Sequence, residues 1–157
     1  MDGNGRWASQ RGPPRLFGPP AGGKRVREVI EACPDAGVEY LTIFAFSTEN
    51  WKRTQVEVAG LMSLFRRYIL KEAREVHNFG ARVRFIGDRV QLDRKLVALM
   101  DELETLTENN TRVHLTVALN YGARDEVARA TKRLAEDVAA GKLKPDEVTE
   151  ETLPNYL

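Results

Sequence analysis

Three short runs of apolar and β-branched residues, each followed by a longer stretch of helical periodicity, constrain this chain more than any other feature. The runs occupy residues 40–46, 82–86 and 113–119. Residues 40–46 are apolar on both alternations, as in a strand covered on both faces of a sheet. The runs stop in polar residues: Ser47, Thr48, Glu49 and Asn50 after the first, Gly87 and Asp88 after the second, Asn120, Tyr121 and Gly122 after the third. Helical patterns then fill roughly residues 55–78, 93–108 and 124–140, with stripes such as Leu92, Leu96, Leu99, Met100 and Leu103. An earlier helix is marked by Val26, Val29, Ile30 and Cys33 at i, i+3, i+4 and i+7 spacing, and Pro34 ends it. Strand and helix in alternation predict an α/β fold with a parallel sheet and crossover helices. Such sheets bind ligands beyond the carboxyl ends of their strands, so residues 47–53, Asp88 and residues 120–122 are expected to share one edge.

Residues 1–23 hold six glycines and four prolines, a density that predicts a loop wrapped around a ligand. The whole chain, 157 residues with 42% hydrophobic, is long enough for one core. A single domain over residues 1–157 is therefore expected. A turn as tight as residues 2–5 normally follows a strand, and the C-terminal residues close no motif, so this domain reads as truncated at both ends. The 24 basic and 23 acidic side chains leave a net charge of +1, and no basic stripe suggests nucleic acid. Any anion site must be local. The single cysteine, Cys33, excludes an intramolecular disulfide, reads as a packed core thiol and fits a cytoplasmic address. No run approaches the ~18 apolar residues of a membrane span, so contact with a membrane would be peripheral.

Several residues carry candidate chemistry. In Asp2-Gly3-Asn4-Gly5-Arg6-Trp7 the glycines allow backbone N–H groups to approach a ligand, and Arg6 offers a planar donor fork for phosphate oxygens. Arg15 adds a second cation. A carboxylate such as Asp2 tolerates a phosphate beside it when a hard cation such as Mg²⁺ bridges the two. An ordinary turn would use the same residues. Ser47, Asn50 and Arg53, at the carboxyl edge of a strand, can bind a second diphosphate, with Trp51 as an apolar wall. Thr54 and Glu57 fit a helix-capping pair. On the following helix Val58, Leu61, Met62, Leu64, Phe65, Tyr68, Ile69 and Val76 cover about half the circumference, wider than the ~100° stripe of a helix that only packs on a sheet. Its second apolar surface could meet a cavity, a partner helix or more core. His77 and His114 stand alone without metal-ligand spacing, and His114 reads as a polar surface position. Walker, dinucleotide and G-x-S-x-G patterns are absent.

Three blocks in order, Asp2-Gly3-Asn4-Gly5-Arg6-Trp7, Phe44-Ala45-Phe46-Ser47-Thr48-Glu49-Asn50-Trp51-Lys52-Arg53 and Asn120-Tyr121-Gly122, resemble signature blocks of the undecaprenyl diphosphate synthase family. The resemblance spans essentially the whole chain, including Phe85-Ile86-Gly87-Asp88. It implies the cis-prenyltransferase fold, with a hydrophobic prenyl tunnel, and a Mg²⁺-dependent isoprenyl transferase. Such an enzyme condenses isopentenyl diphosphate onto an allylic diphosphate such as farnesyl diphosphate, with a new double bond of Z geometry. By motif match Asp2 would be the catalytic, Mg²⁺-binding aspartate, and Asn50 resembles the residue assigned to proton removal. Gly3, Asn4, Gly5, Arg6, Trp7 and Arg15 would surround the allylic diphosphate. Ser47, Thr48, Glu49, Trp51 and Arg53 would line the substrate site, and Leu61, Met62, Leu64 and Phe65 the tunnel.

The chain also departs from the family pattern. Where members carry Gly-His-x-x-Gly, it reads Gly18-Pro19-Pro20-Ala21-Gly22, and Pro19 can donate no hydrogen bond. Ala123 replaces a second glycine after Asn120-Tyr121-Gly122. A first strand and a C-terminal Arg/Glu segment, which also contributes to the family's homodimer, are not in this sequence. The 157 residues alone are therefore expected to be inactive, and a non-catalytic binding subunit of the same fold is the alternative.

Overall fold

The structure is a computed structural model that describes residues 3–12 and 18–157; at residues 4, 5 and 18–21 it describes the backbone alone. The chain divides into two compact units, one up to Asn120 and one from Tyr121 to Leu157. In the first unit the elements are α1 (Asn4–Ser9), α2 (Gly18–Ala32), β1 (Tyr40–Ser47), α3 (Gln55–Phe79), β2 (Ala81–Ile86) and α4 (Arg94–Leu106). Strand β3 (Val113–Tyr121) leads into the second unit, which holds α5 (Ala123–Ala139).

The sheet is parallel and three-stranded, in the order β1-β3-β2. Strands β2 and β3 pair in register from Ala81 opposite Val113 to Ile86 opposite Ala118. The expected strand–helix alternation and the parallel sheet are both present. Element ends also lie close to the expected ones, because the caps are local. Thr54 accepts the Glu57 amide at 3.3 Å to open α3, and Gly80, at φ 86°, closes it. The Thr54 hydroxyl in turn donates to the Glu57 carboxylate at 3.2 Å. Asp93 opens α4 by accepting from the amides of Lys95 and Leu96.

Two features differ from the sequence reading. Residues 1–23 are not one loop, because α1 and the first turn of α2 lie within them. Pro19 and Pro20 fall at the second and third positions of α2, where backbone N–H groups have no intrahelical acceptor, so their lack of a donor costs the helix nothing. Nor is β1 covered on both faces: Tyr40, Thr42 and Phe44 are exposed while Leu41, Ile43 and Ala45 are half-buried. Tyr40 instead stacks on His114, ring centroids 4.7 Å apart.

Two apolar clusters hold this unit together. One joins Ile30 of α2 and Cys33 just after it to Ala81, Val83, Val113 and Leu115 of the sheet and Leu103 of α4. Cys33 is buried there, its thiol donating to the Val29 carbonyl at 3.2 Å. The other joins Phe46, Met62, Leu92, Leu96, Met100 and Leu119. Helix α4 also closes the open edge of β2. The Val83 amide donates to the Thr107 hydroxyl at 3.0 Å and the Phe85 amide to the Glu104 carboxylate at 2.6 Å. An edge strand that would offer unpaired N–H groups is thereby satisfied by side chains. Arg89 braces the same carboxylate at 2.8 Å and also pairs with Asp101. Burial opposes the Arg89 charge, but these two carboxylates outweigh it and raise the pKa.

Candidate functional site

A cavity of about 790 Å³ opens among α1, α2, β1, α3 and the sheet, all within the first unit. That volume lies in the ~300–1,000 Å³ range of pockets that take one organic ligand. Its apolar wall comes from three sources. Helix α3 contributes Leu61, Leu64, Phe65, Tyr68, Ile69, Val76 and Phe79; the strands contribute Ile43, Val83, Phe85, Leu115, Val117 and Leu119; α2 contributes Val26 and Ile30. From Leu61 to Phe79 the α3 side of this wall extends ~27 Å at 1.5 Å per residue. The cavity is therefore long and apolar.

Its polar lining lies in two places, along the seam of α2 and α3, where Lys24, Arg27, Glu28, Glu31, Glu72 and Glu75 line it, and at the N-terminal end of α3. Ser47 ends β1, a 3₁₀ turn covers Thr48–Lys52, and Arg53 precedes the α3 cap at Thr54. Of these residues Ser47, Glu49, Asn50 and Arg53 line the cavity, and so do Gly3 and Arg6. The turn is held by its own side chains: the Ser47 amide donates to the Asn50 carboxamide oxygen at 3.2 Å, and the Arg53 amide donates to the Asn50 carbonyl at 3.1 Å. The Asn50 side chain keeps its NH₂ group and one oxygen lone pair for other partners. Arg53 is exposed, and its guanidinium makes no ion pair among the described residues.

Further along α3 the seam with α2 is charged. Arg27 pairs with Glu31 at 2.8 Å on its own helix, and with Glu75 at 2.9 Å and Glu72 at 3.4 Å on α3. Glu31 and then Glu75 hold the guanidinium firmly protonated. Burial pushes the Tyr68 hydroxyl above its ordinary value, and Glu72 adds to the shift.

The other expected site residues are distributed as follows. Leu61, Leu64 and Phe65 line the cavity, whereas Met62 is buried in the cluster of Phe46, Leu96 and Met100. Of the three alternatives for the second apolar face of α3, a cavity lies along one flank and core along the other. Trp51 and Thr48 are not cavity-lining. The Trp51 indole meets Phe46 edge-on at 5.2 Å and donates to the Asn120 carboxamide at 2.7 Å. Trp7 is exposed, with Arg11 over its ring at 4.7 Å. Asp2 and Arg15 lie outside the described residues, as do the side chains of Asn4 and Pro19. Arg27, Tyr68 and Glu72 at the seam, and the side-chain role of Asn120, were not singled out from the sequence. Tyr68 was read only as part of an apolar face, and the pairing of Arg27 with α3 needs the packed helices to be seen.

The polar ends of the three strands do converge, as the fold class predicts. Asn120 joins Trp51 after β1 to Asp88 after β2, its NH₂ donating to the Asp88 carbonyl at 2.7 Å. Among the described residues no three His, Cys, Asp or Glu side chains cluster as a metal site. Mg²⁺ commonly takes one or two carboxylates plus substrate phosphates, a donor set that one aspartate beside a diphosphate would satisfy.

The first unit thus carries a long, largely apolar cavity beside a three-stranded parallel sheet, with polar groups beyond the end of β1 among its lining. The family model for undecaprenyl diphosphate synthases, a prenyltransferase family, matches residues 1–157. The isoprenyl transferase of Agrobacterium fabrum is 48% identical over 157 residues, 100% of this chain and 64% of that protein. The trans,polycis-polyprenyl diphosphate synthase of Thermobifida fusca, specific for (2Z,6E)-farnesyl diphosphate, is also 48% identical, over 100% of this chain and 56% of that protein. The crystal structure of lavandulyl diphosphate synthase from Lavandula x intermedia, in complex with dimethylallyl diphosphate, superposes with a TM-score of 0.91 at 28% identity. That superposition covers 100% of this chain and 67% of that one. This chain belongs to the undecaprenyl diphosphate synthase family. It spans 56–64% of the length of these two curated relatives.

Proposed function

We propose that the protein is an isoprenyl transferase that condenses isopentenyl diphosphate onto an allylic diphosphate such as farnesyl diphosphate, giving a Z-polyprenyl diphosphate. One observation carries the reading: a single cavity joins a long apolar wall to Arg6, Ser47, Asn50 and Arg53, four residues that match the family's substrate blocks. The allylic C–O bond breaks, diphosphate leaves with the electron pair, a C–C bond forms to the isopentenyl unit, and one proton is lost. Negative charge grows on the departing diphosphate. Fixed donors such as Arg6 and Arg53 then stabilise the transition state more than the ground state. The apolar wall excludes water from the allylic cation and receives the growing chain. Asn50 stands by motif match at the proton-removal step, with its carboxamide oriented by the Ser47 amide.

Asp2, with the substrate phosphates, would hold Mg²⁺, whose charge would offset that of the diphosphate. Gly3, Asn4, Gly5, Trp7 and Arg15 complete the proposed allylic site, and Thr48, Glu49 and Trp51 belong to the loop that frames it. No helix among the described residues is long and apolar enough to cross a membrane. We extend the reading to a cytoplasmic enzyme with peripheral membrane contact, homodimeric in its complete form. The single-domain organisation over residues 1–157 is part of the same proposal.

The test is to fuse the chain to the flanking segments of the Agrobacterium fabrum relative and supply farnesyl diphosphate, radiolabelled isopentenyl diphosphate and Mg²⁺. Label should enter longer prenyl products, and Arg53→Ala should lower the rate ~10-fold or more, the usual cost of one transition-state donor being larger still. The 157 residues alone should be silent. A second reading, a non-catalytic binding subunit, is favoured by Pro19 in place of the family histidine. Silence of the fusion, relieved by Pro19→His, would establish that reading.

A further inference from the structure

We propose that Asn120 is the positioning residue of the substrate loop: through its side chain it fixes Trp51, and through Trp51 it sets Ser47, Asn50 and Arg53 against the cavity. This rests on the isoprenyl transferase reading for what the loop binds, but not for how the loop is held.

Asn120 is 1% exposed and adopts φ 55°, the one positive φ at a non-glycine among the described residues. A left-handed backbone at a buried residue is retained only where the surroundings over-determine it. They do so here on both sides of the residue. The Asp88 amide donates to the Asn120 backbone carbonyl at 3.1 Å, and the Asn120 NH₂ returns a bond to the Asp88 carbonyl at 2.7 Å. This ladder locks the end of β3 to the end of β2. Gly87 is part of the same lock: at φ 120° a Cβ there would lie 2.1 Å from the Leu119 carbonyl oxygen.

The carboxamide oxygen that remains accepts the Trp51 indole N–H at 2.7 Å. Trp51 does not line the cavity, yet it is flanked by Asn50 on one side and, two residues on, by Arg53, and both of these do. Its ring is seated edge-on against Phe46, which is 1% exposed. The indole is thus a peg driven into the core beneath a loop whose polar groups face the other way. A peg held by apolar contact alone could rotate or slide. The hydrogen bond to a rigid acceptor removes that freedom, as second-layer bonds do for residues that touch a ligand. Asparagine suits the task because it tolerates the left-handed backbone and offers an acceptor and a donor from one short side chain.

The experiment is amide hydrogen exchange by NMR on the 157-residue chain, comparing Asn120→Gly and Trp51→Phe with the parent. Glycine keeps the backbone conformation and deletes the two side-chain bonds; phenylalanine keeps a ring against Phe46 and deletes the donor. Both variants should speed exchange at the Ser47 and Arg53 amides roughly five- to tenfold, the size expected of one net hydrogen bond, while the Leu96 and Met100 amides keep their protection. Titrating farnesyl diphosphate into the same samples should show weaker binding by a similar factor in both variants. Loop exchange and affinity unchanged in Trp51→Phe would overturn the proposal, and so would a uniform loss of protection across loop and α4 alike, which marks a merely structural bond. Should Asn120→Gly fail to fold, Trp51→Phe decides alone. A parent that binds no farnesyl diphosphate would overturn the functional reading, and the exchange rates would still decide whether Asn120 positions the loop.

Discussion

At Gly87 the chain turns out of β2 with φ 120°, and a methyl group there would meet the Leu119 carbonyl oxygen at 2.1 Å and the Asn120 carbonyl oxygen at 2.8 Å. Neither neighbour is a side chain that can swing aside. Gly87→Ala is therefore expected to destabilise the protein by ~2 kcal/mol or more, through backbone strain and displacement of β3 together. Urea denaturation measures it, and an unchanged midpoint would mean that the strand ends are not locked as described. Single residues were unevenly legible in the sequence. Ser47, Asn50 and Arg53 could be read as donors because strand ends in parallel sheets collect ligands. Trp51 was read as an apolar wall, since an isolated indole looks apolar; its N–H partner lies 69 positions away. Asn120 was visible as a polar strand end and as part of a motif but not in its side-chain role, because its left-handed backbone and the two side-chain bonds it makes arise from the meeting of three strands.

Elements were more legible than residues, because periodicity and caps are local while tertiary partners are not. The half-circumference apolar surface of α3 is resolved into two flanks, with Leu64 toward the cavity, Met62 toward Phe46, Leu96 and Met100, and Phe65 touching both the cavity and Phe46. These flanks predict opposite outcomes. Leu64→Ala in the active fusion should lengthen or redistribute the products by widening the cavity, whereas Met62→Ala should cost ~2–5 kcal/mol of stability and leave the product ladder unchanged. Chromatography of the products alongside thermal melts separates the two. Residues 4–9 and 18–23 were misread as loop; at Pro19 and Pro20 the reason is that proline argues against a helix interior but not against a first turn.

In the second unit, Asp137 accepts from Lys142 at 3.1 Å and from the Tyr156 hydroxyl at 3.0 Å. These bonds, that of Lys142 first, hold its carboxyl below the ordinary value of 3.8. A depressed carboxylate stabilises the fold above its unfolded pKa and loses that contribution as pH falls through the lower folded value. Stability of this unit should thus decline from about pH 4 downward, and Asp137→Asn should flatten that part of the profile. A parallel acid decline in parent and variant, followed by tyrosine fluorescence, would remove Asp137 from the account.

For the whole molecule the family is established by residues 1–157, and the chain spans 56–64% of the two relatives compared. Its activity is therefore a proposal, and the account depends on one claim: the cavity along α3 holds a prenyl chain whose diphosphate meets Arg53. The most direct measurement is photo-crosslinking of the 157-residue chain with a farnesyl diphosphate analogue carrying a diazirine at the end of its tail, followed by peptide mapping. The account predicts labelling of cavity residues such as Phe65, Tyr68, Ile69 and Ile43, prevented by excess farnesyl diphosphate and weakened by Arg53→Ala. Label spread over exposed residues such as Val56, Leu70 and Val90, and indifferent to competitor, would contradict it.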